Sequence, residues 1–212
     1  MRRLFGIIAL SVALLPLTGA ARSIGDLFAE EPGTIFPLLT QTTRLDLVDY
    51  YLNGQTPSLT NNLTGECWLI EMDSVYLKVH TSGSREVELT MRKVGKDTVI
   101  TVIETVMTPV PDSRLTQWNV HWQRYTSEKL FVMPGIDDFI VKKMPRELRA
   151  DLQDAMIFPL IRLCFKGENH DIIEASHSLE QFLIPSEYER FASYLRPSLT
   201  YHFNGLKIKR DK

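Results

Sequence analysis

Residues 99–103 read Val-Ile-Thr-Val-Ile, a strand apolar on both faces, with Ile100 and Val102 on one side and Val99 and Ile103 on the other. Such a strand belongs in the middle of a sheet or beneath a covering layer, so the rest of the chain must supply material on both sides of it. A corner follows, Thr108-Pro109-Val110-Pro111, then Asp112-Ser113 as a turn or cap. A second strand then sets Trp118, Val120 and Trp122 on one face.

The segments before this strand alternate with period two. Cys67 and Leu69 alternate with Trp68 and Ile70, and Val75, Leu77 and Val79 with Tyr76, Lys78 and His80. Val87, Leu89 and Met91 are expected to face inward, with Glu86, Glu88 and Arg92 facing water. Ser82-Gly83-Ser84 and Gly95-Lys96-Asp97 are too short for a parallel crossover, so the neighbours are antiparallel.

Helical spacing appears three times. Thr43-Arg44-Leu45-Asp46 has the form of a capping box ahead of a Leu45, Val48, Leu52 stripe that Gly54 ends. Pro145 takes the first position of a second helix carrying Leu148, Leu152, Ala155 and Met156. Ser186 and Glu189 cap a third, with Tyr188, Phe191, Ala192 and Leu195 as its buried stripe. Residues 130–133 read as a short strand, and 160–165 pairs with 172–177 around Gly167-Glu168-Asn169. Asn204-Gly205 turns a last hairpin. This order predicts an α+β fold: an antiparallel β-sheet with helices packed on one face, in two loosely similar halves.

The N-terminus predicts export. Met1-Arg2-Arg3 is a positive n-region, Leu4 to Leu17 is almost wholly apolar, and Thr18-Gly19-Ala20-Ala21 offers small residues to a signal peptidase. The expected division is residues 1–21 as signal peptide, cleaved near Ala20 or Ala21, 22–35 as a loose lead-in, and 36–212 as a single α+β domain. The mature chain then has no transmembrane span and is periplasmic or otherwise secreted. A formal net charge of −2 gives no basic footprint for nucleic acid.

The residues that could carry chemistry are few. His80, His121, His170, His177 and His202 show no metal-ligand spacing, and no metal or cofactor is implied. Asp112, Ser113 and His121 are the residue types of a hydrolase, but G-x-S-x-G is absent and Asp112 capping its own turn explains the corner. Cys67 and Cys164, the only thiols, permit one disulfide in an oxidising compartment or two unpaired strand residues. Asp112, Ser113, Trp118 and Trp122 together form a candidate binding corner; the bland reading of the two indoles is core, the functional one a groove that stacks on a sugar or peptide.

Phe36-Pro37-Leu38-Leu39 with the segment Thr43 to Tyr51, the Asn61-Asn62-Leu63-Thr64-Gly65 turn, and Thr105 to Ser113 with Trp122 downstream resemble a secreted Bacteroidales family, domain of unknown function 3256. The likeness covers Phe36 to Trp122, and the family pattern carries Phe-Tyr where this chain has Gln117-Trp118. The resemblance implies an envelope location and no activity. The expected function is a non-catalytic binding or accessory module of the envelope, with an envelope protein or a glycan as partner. The competing reading is a hydrolase built on Asp112, Ser113 and His121.

Overall fold

The computed structural model describes residues 22–141, 143–156, 158 and 160–211; the expected signal peptide and its cleavage positions lie outside the described residues. The elements run α1 (Ile24–Glu30), α2 (Gln41–Leu52), β1 (Leu59–Thr60), β2 (Glu66–Met72), β3 (Tyr76–Ser82), β4 (Arg85–Val94), β5 (Asp97–Val106) and β6 (Asp112–Asn119). A 3-10 turn (Ile136–Phe139), α3 (Arg146–Ala155), β7 (Ile161–Lys166), β8 (Ile172–His177), α4 (Leu179–Phe182), α5 (Pro185–Ala192), β9 (Ser198–Asn204) and β10 (Lys207–Arg210) follow.

The fold is α+β and antiparallel, but it holds two sheets rather than one. Strands β1 to β6 form a six-stranded meander, and β10-β9-β8-β7 a four-stranded sheet. Helices α1 and α2 cover one face of the larger sheet, where Leu27, Phe28 and Leu47 meet Leu77, Leu89, Ile100 and Val102. The second core lies between the sheets and under the later helices, joining Ile103 to Leu163, Ile173 and Phe191. Strand β5 is thus buried on both faces over residues 99–103, which is why that stretch holds only apolar residues and threonine.

Residues 22–35 are not a loose lead-in. Ser23 caps α1 by accepting from the Asp26 amide, while Asp26 accepts from Ser23. Ile24, Leu27 and Phe28 are fully buried. Beyond the helix the carboxylate of Glu31 accepts the amides of Gly33, Thr34 and Ile35 at 2.7–2.9 Å, and Gly33 turns the chain at φ +90. Buried Arg44 donates to the carbonyls of Leu39, Ala29 and Glu31. This arginine, with Leu47, is the buried side of α2, whereas Leu45 and Leu52 are exposed. The helix starts earlier than expected, with Thr40 as its N-cap.

Three further expectations shift. Residues 130–133 form no strand, α5 begins on Pro185 without a side-chain cap, and β6 ends at Asn119, before Trp122. Trp122 reaches its position from a turn, at φ 57. Asn204 pairs with Lys207, so the two-residue loop of the last hairpin is Gly205-Leu206.

Candidate functional site

The smaller sheet meets the larger one through its edge strand. The amides of Ile161, Leu163 and Phe165, every second residue of β7, point away from β8. Each finds a side-chain acceptor on the larger sheet: Asp112 Oδ1 at 3.0 Å, Ser113 Oγ at 2.9 Å and Glu88 Oε2 at 3.2 Å. Ser178 Oγ adds a 2.6 Å bond to the carbonyl of Pro111. The Asp112-Ser113 corner is therefore a seam between the sheets. The polar face of β4, expected in water, lies under this seam, and Glu88 is 4% exposed.

The seam separates the residues of the hydrolase reading. Ser113 Oγ is shared between Thr105 Oγ1 at 2.8 Å and the Leu163 amide. His121 is exposed in the turn past the far end of β6, with its backbone amide on Asn119. Six residues of strand from Ser113 to Asn119 span about 20 Å at ~3.3 Å each. No imidazole can take a proton from Ser113 over that distance. The two indoles of the expected binding corner are 9% exposed and pack edge-to-face at 6.1 Å within the helix-side core. The corner's four residues thus fall into two places, Asp112 and Ser113 in the seam and the indoles on the opposite face of the larger sheet.

Beside the seam a cleft of ≈ 300 Å³ opens between the sheets. Its wall on the larger sheet is a row of alternating charge, Glu71 on β2, Lys78 on β3 and Glu88 on β4, set opposite one another by strand register. The other wall is the outer face of β7 and β8, where Arg162 stands opposite Ser176 and Cys164 opposite Glu174. Of the lining residues, Tyr76 is stacked by His170 at 3.7 Å, and His170 meets Asp73 Oδ2 at 3.0 Å.

Most of these charges are already matched. Lys78 Nζ lies 3.1 Å from Glu86 and 3.8 Å from Glu88, and Lys166 Nζ lies 3.8 Å from Glu174. Tyr76 donates its hydroxyl to Glu88 Oε2 at 3.0 Å. Burial pushes the Glu88 carboxyl above its usual range, against the pull of Lys78 and of the Phe165 amide. Burial likewise raises the Cys164 thiol, with Glu88 adding to the rise, so this sulfur is not an activated thiolate. Cys67 sits in the helix-side core, and both cysteines are free. Glu71 and Arg162 differ: among the described residues neither side chain makes a hydrogen bond or an ion pair. The arrangement can hold a polar ligand, and it presents no nucleophile with an adjacent base.

Sequence reasoning missed this cleft because its residues lie on two hairpins far apart in the chain. The one local signal is the unbroken polar alternation of β7, Arg162, Cys164 and Lys166 opposite Ile161, Leu163 and Phe165.

Two antiparallel sheets joined at an edge, with a charged cleft beside the joint, define a two-sheet α+β protein. The chain belongs to the family described as protein of unknown function (DUF3256), whose match spans residues 17–208 and so takes in the C-terminal half as well as the segment that carries the resemblance. A solved structure, of a domain of an uncharacterized protein from Porphyromonas gingivalis W83, superposes with a TM-score of 0.75. It is 21% identical and covers 88% of this chain and 96% of that one, a likeness of fold. No curated protein matches the chain.

Proposed function

We propose that this protein is an exported, non-catalytic binding module of the cell envelope, and that its ligand site is the cleft between the two sheets. The observation that carries the reading is the pair of side chains of opposite sign, Glu71 and Arg162, left unmatched on the two walls of a ≈ 300 Å³ cleft whose other charges are paired. Concave sites with a few convergent polar groups are the usual places for small ligands. Export is supported by the basic, apolar and small-residue order of the first 21 residues. Against catalysis stand the engaged Ser113 hydroxyl and the raised Cys164 thiol.

The test is native mass spectrometry of the protein recovered by osmotic shock from its own cells. A non-covalent small-molecule adduct is expected, lost in Ser176→Trp, which fills the cleft, and kept in Ser113→Ala. An adduct indifferent to Ser176→Trp, or a product formed by the wild type and not by Ser113→Ala, would overturn the reading.

A further inference from the structure

The charges around the cleft can be matched one by one. Of the six that line it, Lys78 is satisfied by Glu86 and Glu88, and Lys166 by Glu174. That leaves one carboxylate and one guanidinium, Glu71 on β2 and Arg162 on β7, which belong to different sheets and face the same space. A guanidinium presents a planar fork of donors that fits a carboxylate in two parallel bonds. Ser176 stands directly across from Arg162 in the β7–β8 ladder, and its hydroxyl is a further donor for the same anion. On the opposite wall Glu71 has only acceptors to offer, which suits an ammonium. The volume equals that of about ten liquid waters at ~30 Å³ each, which is amino-acid to dipeptide size.

From this juxtaposition we infer that the ligand is a small zwitterion, a free amino acid or short peptide, with its carboxylate on Arg162 and Ser176 and its ammonium on Glu71. The inference rests on the cleft being the ligand site and adds the chemical class. A singly charged ligand would leave one of the two anchors without a partner while covering it from part of its water. A zwitterion answers both at once. Because the two anchors sit on different sheets, the ligand also braces the joint between them.

The experiment is calorimetric titration of the mature chain with alanyl-alanine, its N-acetyl form, its C-terminal amide, and the form blocked at both ends. The free dipeptide is expected to bind, and each single block to weaken it by about tenfold or more, as for loss of a hydrogen bond to a charged group. In Arg162→Gln the acid and the amide should bind alike, while sensitivity to N-acetylation remains. In Glu71→Gln the reverse holds. Both positions are at the surface of the cleft, and an unchanged circular dichroism melt confirms that each variant folds. If all four forms bind alike, or none binds, the zwitterion inference is overturned. A neutral sugar that binds and is displaced by Ser176→Trp would overturn it while leaving the cleft reading intact. Loss of both the dipeptide and the native adduct's dependence on Ser176→Trp would remove the cleft reading itself.

Discussion

The hydroxyl of Ser113 accepts the backbone amide of Leu163 at 2.9 Å, across 50 residues of sequence. A strand edge is here closed by a side chain and not by another strand. The relation turns a residue that looks like a nucleophile into a structural acceptor.

Ser113→Ala should accordingly lower stability by about 1–3 kcal/mol, the cost of leaving a buried amide unsatisfied. Ser113→Thr, which keeps the oxygen, should lose less. Urea denaturation of the two variants checks this. Equal losses for Ala and Thr would mean that the hydroxyl contributes nothing at the seam.

Glu88 gives the seam a pH dependence. Its carboxyl holds its proton to a higher pH in the fold than in the unfolded chain, because burial penalises the charge. The native state therefore binds more protons between the ordinary carboxyl range and the raised value, and stability falls as pH rises through that window. Glu88→Gln removes this titration while keeping an oxygen for Tyr76 and Phe165. The melting temperature of E88Q relative to wild type should rise with pH through the window and stay level above it. A relative fall over the same window would show that the carboxylate is the preferred form.

Trp118 donates its indole N–H to Thr116 Oγ1 at 2.9 Å, whereas the buried N–H of Trp122 has no partner among the described residues. Either Trp→Ala change should cost about 3–5 kcal/mol. Trp118→Phe, which also frees the threonine, should cost more than Trp122→Phe. Native fluorescence should resist acrylamide except for the share of half-buried Trp68. A wild-type melt for Trp118→Ala would remove this indole from the core.

For the thiols, titration of the denatured, unreduced protein should find two free groups. In the folded protein Cys164, half-buried on the cleft wall, should react with a maleimide well before fully buried Cys67. The reverse order would contradict the placement of β7.

The strands were legible in the sequence because their apolar residues recur every second position, and the doubly apolar β5 correctly demands cover on both sides. The second sheet was not legible, for a physical reason. Glu88 alternates with Val87 and Leu89 in the same way whether its carboxylate meets water or the Phe165 amide. Sequence records that a group is polar and not what satisfies it. The same limit hid the roles of Asp112 and Ser113. Helix α1 is a different case: Ser23 and Asp26 carry the spacing of a capping box just ahead of Leu27 and Phe28, so its signal was present. The buried side of α2 was misjudged because Arg44 looks like a surface residue until the carbonyls of Ala29 and Glu31 are brought to it.

The capped edge of β7 also bears on how molecules of this protein meet one another. An unpaired strand edge invites a second chain to add to it, and antiparallel sheets must guard against polymerisation. With its outward amides held by Asp112, Ser113 and Glu88, β7 offers no donors to a neighbour. The opposite edge of the same sheet is the Lys- and Arg-bearing β10, whose Ile208 amide is taken by Leu130. On the larger sheet, β1 is two residues long, and the chain returning through Gln123 and Tyr125 bonds to β6. Among the described residues, little strand edge is thus left bare for a second copy to extend.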